Sequence, residues 1–389
     1  MPRSRIVLSN SYGTANVGDE AILTVLAEEL AERDCHVDIL TFTPDDTAAK
    51  HRGARAVRSG VLSGALETFN AIRNADALVV GGGGILQDAT SFGNLLFHVS
   101  RTVMARVAGT PFVISGVGVG PLKRRLSRRL TRWACSNAHS VDVRDDYSAA
   151  LLHEIGVGPG SVQTMADFAH LLPAHRRDDM EPLGRQLLDS LRSLRGDGRK
   201  LIGLSLRPPV GDAARRARLS AADQAQLDEM ARLADALVEE HDAELVLLSM
   251  HPGQDDRVAE LLLQRMDLKD YVTAIPGHLS PKTIKGVIAD LDLVVGTRLH
   301  SLIFAASHSV PLIALAYDAK VAAYAESLGL GELVLPPNDW AAETVTEKSR
   351  KALGAAPRIA AQLSQAVPAR ILAARESIDK ICALAHAQC

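Results

Sequence analysis

Three cationic side chains follow two successive apolar runs late in the chain, and together they could bind a small anion. The largely apolar run from residue 291 to 295 is typical of a buried strand, and Arg298 and His300 stand at the turn from it into an apolar helix. A second apolar run, residues 310 to 316, leads to Lys320. Because parallel strands end at one edge of a sheet, these side chains are expected to face one cleft. An anion that carries both phosphate and carboxylate would suit them.

A purely structural interpretation stays open for the same turn. Arg298 could pair with Asp290 or Asp292, which precede it closely in the chain. His300 could serve only to cap the helix that follows. Charged groups with perturbed pKa values occur in structural ion-pair networks as well as in functional sites. Residue type alone therefore does not decide between the two interpretations.

Two acidic residues follow the first apolar run, in the turn formed by residues 11–20. Gly13 and Gly18 allow close approach of the backbone, and Asp19 and Glu20 open a helix. The G-x-G-x-x-G spacing of a dinucleotide site is absent, and no Lys-Ser/Thr pair follows Gly18 as a Walker loop requires. A carboxylate at this turn, such as Asp19, could orient or deprotonate a sugar hydroxyl. Alternatively, both acids only complement the helix dipole.

Four consecutive glycines, residues 81–84, follow another apolar run. Such a run loses much conformational entropy on folding, so it is expected where a ligand or a second domain approaches the backbone. Its N–H groups could form an anion-binding nest. We take Gly82, Gly83 and Gln87 in this turn, with Asn16 in the first turn, as candidates for contact with a substrate through side chain or backbone.

Arg144 stands at the end of a further predicted strand. A guanidinium group binds a carboxylate or a phosphate through two parallel hydrogen bonds, so Arg144 is a candidate anion ligand. Its neighbours Asp142, Asp145 and Asp146 could instead lock it in place.

Residues 123–132 form the most basic segment of the chain. On a helix, Leu126, Leu130 and Trp133 would form one stripe, and the basic residues would lie elsewhere. Such a helix could rest on anionic lipid. An ordinary solvated helix face is the alternative.

The order of apolar runs predicts a doubly wound α/β fold, because strands alternate with helices in both halves. The clearest helices are expected at residues 19–33, 221–240, 256–266 and 281–291. Strands are predicted at residues 6–9, 36–41, 77–80, 112–116 and 140–143, and at 201–206, 244–248, 272–275, 291–295 and 312–316.

A break in this alternation near Pro173 predicts two domains. Asp167 and Arg207 are candidates for a hinge ion pair near the break, and His251 could face a cleft between the domains. A last helix at about residues 359–387 is expected to pack on the first domain. The predicted parts are an N-terminal Rossmann-like domain (1–175), a linker region (176–199) and a C-terminal Rossmann-like domain (200–389).

Composition excludes several classes of protein. The 389 residues are 47% hydrophobic, enough for two large cores, but only 4% aromatic, which disfavours a stacking surface for single-stranded nucleic acid. The net charge of −3 provides no general attraction for nucleic acid. No apolar run approaches the ~18 residues of a membrane-spanning helix, and the N-terminal segment is expected to be a strand rather than a signal peptide. Reduced thiols of a cytoplasmic protein are expected at the four cysteines, which lack C-x-x-C spacing: Cys35, Cys135, Cys382 and Cys389.

Taken together, these turns resemble those of the polysaccharide pyruvyl transferase family, and most closely its bacterial cell-wall branch. The motifs occur in the family's order and extend from residue 6 to about residue 330. They lie at residues 16–23 (NVGDEAIL), 81–88 (GGGGILQD), 116–121 (GVGVGP), 143–145 (VRD) and 296–301 (GTRLHS).

The resemblance implies two facing Rossmann-like domains (a GT-B-like fold), each a parallel sheet flanked by helices. It also implies transfer of a pyruvyl group from phosphoenolpyruvate to a sugar as a ketal. The positions that match the family's donor site are Arg144, Arg298, His300 and Lys320. For this chemistry we expect His300 to act as the acid or a phosphate ligand and Asp19 as the base on the acceptor. We expect neither a metal ion nor a cofactor.

The expected partners are phosphoenolpyruvate and a sugar acceptor, the latter on a lipid-linked glycan at the inner face of the membrane. Neither the acceptor sugar nor the oligomeric state follows from the sequence. Two other functions stay open. A nucleotide-sugar glycosyltransferase could share the architecture, and so could a non-catalytic protein with two lobes that close on a sugar or an anion.

Overall fold

Two parallel β-sheets organise the chain. The structure, a computed structural model, describes residues 3–60, 63–89, 91–158, 160–207 and 219–388. All strand pairs within both sheets are parallel in this part of the chain. Helices connect successive strands, so apolar strands are covered on both faces, as parallel sheets require.

The first sheet contains seven described strands in the order β3-β2-β1-β4-β5-β6-β7. Its central strands are fully buried because their residues are almost all apolar. The direction of winding reverses between β1 and β4, and ligands of such sheets bind outside the carboxyl ends of the strands at this point. The strands are β1 (Arg5–Ser9), β2 (His36–Thr41), β3 (Arg55–Arg58), β4 (Ala77–Gly81), β5 (Phe112–Val117), β6 (Val141–Val143) and β7 (Val162–Thr164).

The second sheet contains six described strands in the order β10-β9-β8-β11-β12-β13. Here the winding reverses between β8 and β11, which pair from Leu293 with Ile202 to Gly296 with Ser205. The strands are β8 (Lys200–Ser205), β9 (Ala243–Leu248), β10 (Val272–Ile275), β11 (Leu293–Gly296), β12 (Leu312–Leu315) and β13 (Val334–Leu335).

The helices begin at polar caps where the sequence supplies them. The Ser91 hydroxyl accepts from the N–H of Asn94, and Ser220 and Asp223 form a reciprocal capping box. None of the described helices is both long and apolar enough to cross a membrane. The helices are α1 (Val17–Glu32), α2 (Pro44–Lys50), α3 (Ala65–Arg73), α4 (Phe92–Ala108), α5 (Arg125–Asn137), α6 (Asp146–Glu154), α7 (Pro182–Gly196), α8 (Ala221–His241), α9 (Asp255–Leu263), α10 (Pro281–Ile288), α11 (Leu299–Ser307), α12 (Ala319–Ser327), α13 (Ala342–Gly354) and α14 (Ala356–His386).

The chain divides into two compact units. Unit 1 comprises residues 1–14, 18–172 and 369–389, and unit 2 comprises residues 15–17 and 173–368. The division thus falls at Leu172. The sequence predicted a linker at residues 176–199, but these residues form a short 3₁₀ turn and α7, which both belong to unit 2. The last part of α14 belongs to unit 1, where the buried Ser377 hydroxyl donates to Asp142 (2.7 Å).

The structure confirms the predicted α/β class with two Rossmann-like sheets, and the predicted strands match those observed to within two residues at each end. The sequence missed β3, β7 and β13. All three are short outer strands, and β3 and β7 are only partly buried, so they lack the apolar run that marks a central strand. The predicted helix at 281–291 ends earlier, at Ile288.

Candidate functional site

The turns at the carboxyl edge of the second sheet are tied to one another by Thr297. This buried residue follows β11, and its hydroxyl oxygen accepts from the N–H of Arg207, which follows β8 (2.9 Å). A Cβ on Gly296 would come within 2.8 Å of the Ser301 hydroxyl, so the end of β11 requires glycine. These contacts fix the backbone from which Arg298 projects at the start of α11.

Arg298 is held by a carboxylate that the sequence analysis did not single out. Its Nε and Nη2 reach the two oxygens of Asp255 at 3.1 and 2.5 Å, in a bidentate pair. Asp255 also accepts from the N–H of Met250 (3.0 Å). Burial raises the pKa of Asp255 above its ordinary value, while Arg298 and the Met250 N–H act in the opposite direction.

The alternative in which Arg298 pairs with Asp290 or Asp292 is wrong. Asp290 accepts from Arg192 (2.6 Å), and Asp292 accepts from Arg195 (3.0 Å). The sequence favoured these partners because they are near in the chain. The observed partner lies at the start of α9, after β9, and only the folded sheet brings it to Arg298.

The neighbouring turn, after β12, carries a second cation held by its own carboxylate. Lys320 Nζ lies 3.0 Å from Asp318 Oδ2, and Asp318 Oδ1 accepts from the Lys320 N–H (3.2 Å). On the same turn, the Tyr317 ring lies under the guanidinium of Arg207, 4.3 Å from its centroid. None of the described carboxylates pairs with Arg207.

Two histidines lie at the same edge of the sheet. His300 is half-buried in the first turn of α11. His251 follows β9, and its Nδ1 donates to the carbonyl of Pro252 (3.1 Å). This edge therefore presents Arg207, Arg298 and Lys320 on adjacent turns, with two imidazoles beside them. Unit 2 thus contains three of the four predicted donor residues.

The carboxyl edge of the first sheet is built mainly from glycine and acidic residues. Gly82 and Gly83 have φ angles of 78° and 69°, in the left-handed region. A Cβ on Gly82 would overlap the Ile22 side chain, and one on Gly83 would lie 2.7 Å from Asp19 Oδ1. The first two turns of α1 therefore explain these two glycines. Asn10 closes the same turn by donating from Nδ2 to the carbonyl of Gly82 (3.3 Å).

Arg144 is buried in unit 1 and paired with an acid that the sequence assigned to a hinge. Its Nη1 donates to Asp167 Oδ2 (2.8 Å), and its Nε lies 3.7 Å from Asp145 Oδ2. Asp167, a candidate for a hinge ion pair, thus pairs with Arg144 within unit 1. Burial alone would lower the pKa of Arg144, but Asp167, Asp145 and Asp19 raise it above its ordinary value.

The loop before α1 depends on buried polar groups. Glu20 accepts from the N–H of Gly13 (2.9 Å), and burial raises the pKa of Glu20. Behind this loop the Ser11 hydroxyl lies 3.4 Å from Nε2 of His98, a fully buried residue of α4. Burial lowers the pKa of His98 to about 3. His98 could not be recognised from the sequence, because a single histidine within a helix carries no local signal.

The remaining predicted residues divide between the units. Asn16 belongs to unit 2 with Val17, whose N–H donates to the carbonyl of Met250 (3.0 Å). Asp19 and Gln87 are half-buried residues of unit 1. Within the described ranges, no group of three or more His, Cys, Asp or Glu side chains is arranged to hold a metal ion.

Solved structures with the same architecture define the fold as GT-B-like. A putative UDP-N-acetylglucosamine 2-epimerase from Listeria monocytogenes has a TM-score of 0.64 at 15% identity, covering 97% of this chain and 95% of its own. Alr3699/HepE from Anabaena, solved in complex with UDP-glucose, has a TM-score of 0.64 at 13% identity, covering 98% and 99%. At such identities the likeness concerns the fold alone.

The chain belongs to the polysaccharide pyruvyl transferase family, whose sequence profile matches residues 16–319. Its relatives include the amylovoran biosynthesis protein AmsJ of Erwinia amylovora, which is 24% identical over 268 residues. That alignment covers 67% of this chain and 61% of the relative. Family membership agrees with the resemblance found in the sequence motifs.

Proposed function

We propose that the protein transfers a pyruvyl group from phosphoenolpyruvate to a sugar of a cell-envelope polysaccharide or of its lipid-linked precursor, and that the product is a ketal. The observation that carries this proposal is the set of cations on adjacent turns of unit 2. Two of them, Arg298 and Lys320, are each oriented by a carboxylate. The family of the chain supports the same reaction class.

Phosphoenolpyruvate carries about three negative charges at neutral pH, since the second pKa of a phosphate ester is near 6. Arg298 uses two of its five N–H groups on Asp255, so three remain for the donor. The pairing also holds the guanidinium plane in one orientation, which reduces the entropy lost on binding. We assign Arg298, His300 and Lys320 to the donor and add Arg207, whose charge no described carboxylate offsets.

The reaction starts with protonation of the methylene carbon of phosphoenolpyruvate, which becomes a methyl group and leaves an oxocarbenium-like C2. A sugar hydroxyl attacks C2 and loses its proton to a base. The bond from C2 to the phosphate oxygen then breaks, and inorganic phosphate departs with the electron pair. A second sugar hydroxyl attacks C2 and closes the ketal ring, and its proton restores the acid used in the first step. We assign the acid or phosphate-binding role to His300 and the base to Asp19. Arg144 stays a proposed donor ligand.

A nucleotide-sugar glycosyltransferase is the second candidate function. It is favoured by the fold shared with Alr3699/HepE in its complex with UDP-glucose. In that case the cations of unit 2 would face a diphosphate rather than phosphoenolpyruvate.

A label-transfer assay separates the two functions. The protein is incubated with envelope glycans and either phosphoenolpyruvate labelled in its carbon chain or a labelled UDP-sugar. The proposal expects acid-labile label on the glycan from phosphoenolpyruvate and an equal amount of released phosphate. Label from the UDP-sugar alone would overturn it. A His300→Gln variant should lose transfer, whereas His139→Gln, which changes an exposed histidine of unit 1, should not.

A further inference from the structure

Exposed apolar side chains run along the outer faces of two basic helices in unit 1. On α4, Leu96, Val103 and Val107 are separated by seven and four residues, so they share one face. On α5, Leu126 and Trp133 are seven residues apart and also share a face. Val107 is 73% exposed and Leu126 is 51% exposed, which is far more than a packed helix face allows.

The two stripes belong to one surface. The opposite side of α4 packs in the core through Ala105, and that of α5 through Cys135. The helices follow the neighbouring strands β4 and β5. Their first turns are adjacent, because Arg124, the residue before α5, lies 5.2 Å from the ring centroid of Phe92 at the start of α4.

This surface is strongly basic although the whole chain has a net charge of −3. Neither helix contains an acidic residue. Arg128 pairs with Glu154 (2.7 Å), but none of the described carboxylates pairs with the other basic side chains of this region. Those side chains are exposed, and they are Arg106, Lys123, Arg124, Arg125, Arg129 and Arg132. We call the outer face of α4 and α5, with these residues, the basic-apolar surface.

We propose that the basic-apolar surface docks the protein on a bilayer that contains anionic phospholipid. Arginines attract the lipid phosphates, and Leu126, Trp133 and Val107 enter the boundary between headgroups and acyl chains. A soluble polyanionic glycan would satisfy the arginines but would offer no apolar phase for the exposed Leu, Val and Trp side chains. The combination of both kinds of residue therefore favours a bilayer.

The same surface is joined to the carboxyl edge of the first sheet. Asp88, at the end of the glycine turn after β4, accepts from the N–H groups of Lys123 and Arg124 at 2.8 and 2.9 Å. The basic start of α5 and the turn that holds Gly82 and Gly83 are thus parts of one hydrogen-bonded assembly. Docking through α5 would place this edge near the membrane, where a lipid-linked acceptor resides. The docking itself does not depend on the proposed donor.

The test is flotation of the full chain with vesicles of phosphatidylglycerol and phosphatidylcholine, compared with phosphatidylcholine alone. We expect binding to the anionic vesicles only. The triple variant Arg125→Gln/Arg129→Gln/Arg132→Gln should bind on the order of 100-fold more weakly, given the usual contribution of each basic residue near such a surface. The matched control Arg232→Gln/Arg257→Gln/Arg350→Gln removes three exposed arginines of unit 2 and should bind like the wild type.

Tryptophan fluorescence tests the apolar part separately. The chain contains two tryptophans, so Trp340→Phe leaves Trp133 as the single reporter. Its emission should shift to the blue on anionic vesicles and be quenched by brominated lipid. Equal flotation of both triple variants, or an unchanged Trp133 spectrum, would overturn the proposal. So would arginine-dependent binding to a soluble sulfated glycan without binding to vesicles.

Discussion

The carboxyl edges of the two sheets start from the same strand order and end with different chemistry. In unit 1 the turns at the reversal point are shaped by Gly82 and Gly83, and Asp19 fills the space beside them. In unit 2 the corresponding turns carry Arg207 and Arg298 on a backbone tied by Thr297. At the carboxyl edge of the first sheet, acidic side chains therefore approach the glycine backbone closely. At the carboxyl edge of the second sheet, cationic side chains project from the backbone.

The two arginine–aspartate pairs at these edges show what the difference means. Arg144 and Asp167 have side chains only 4% and 3% exposed, so their pair is desolvated on both sides. Arg298 is 17% exposed, and its partner Asp255 is the buried member. A pair buried on both sides fixes the fold, whereas Arg298 still offers N–H groups to a ligand. We therefore expect changes at Arg144 to act on stability as well as on donor binding, and changes at Arg298 to act mainly on binding.

The largest effect is expected for Asp167→Asn. This change removes the closer of the two carboxylates at the buried Arg144 and leaves only Asp145, at 3.7 Å; breaking such a pair costs about 3–5 kcal/mol of unfolding free energy. Asp290→Asn is the matched control, because its partner Arg192 is half-exposed and such pairs contribute less than about 1 kcal/mol. Urea unfolding measures both. Similar losses in the two variants would show that burial does not distinguish these pairs.

Next in size is Gly82→Ala, which tests whether α1 shapes the glycine turn. The new Cβ meets both an unfavourable φ of 78° and the buried Ile22 side chain, so we expect a loss of about 3 kcal/mol. Gly109→Ala has the same φ of 78° with no atom within 4 Å of the Cβ, and should lose only about 1 kcal/mol. Thermal unfolding measures the stability of both variants. Equal losses would show that contact with Ile22 is not the reason for glycine at position 82.

A fall in pH should destabilise unit 1 near the carboxyl edge of the first sheet, because His98 must then take up a proton. Its folded pKa of about 3 lies below the ordinary value near 6.5, so the neutral form is favoured in the folded state. The contribution of neutral His98 to the free energy of unfolding is fully present above pH 6.5. It is lost as the pH falls towards 3, by up to about 1.4 kcal/mol per pH unit. His98→Gln should reduce the loss between pH 6 and pH 4. His139→Gln, at an exposed residue, should keep the wild-type slope.

The smallest effect concerns the ring that supports Arg207 at the second edge. Tyr317→Leu removes a cation–π contact at 4.3 Å, which is worth about 0.5–1 kcal/mol, so the affinity for phosphoenolpyruvate should fall about threefold. Tyr271→Leu removes the same contact at the same distance from Arg199, before β8 and far along the strand from these turns. Its affinity should equal that of the wild type. Equal weakening in both would exclude a specific role for Arg207.

The sequence predicts the central strands well because burial on both faces demands apolar residues in unbroken runs, as in β4 and β5. It also predicts that Arg298, His300 and Lys320 stand at turns, since each follows such a run directly. The sequence does not predict ion-pair partners that are distant in the chain. Asp255 is 43 residues from Arg298, and Asp167 is 23 residues from Arg144. Only the pairing of strands brings these distant carboxylates to the guanidinium groups. Local spacing suggested incorrect partners for Arg298, whereas for Arg144 it correctly included Asp145, at 3.7 Å.

The binding of phosphoenolpyruvate by Arg298 and its neighbouring cations is the step on which the proposed function depends. Calorimetric titration of phosphoenolpyruvate into the wild type, Arg298→Gln and Arg192→Gln tests it most directly. A further variant, Arg298→Gln/Asp255→Asn, avoids leaving Asp255 as a buried unpaired charge. We expect both Arg298 variants to bind about 10- to 100-fold more weakly, because charge-assisted hydrogen bonds are lost, and Arg192→Gln to bind like the wild type. Unchanged affinity in the Arg298 variants, or binding of UDP in place of phosphoenolpyruvate, would contradict the claim.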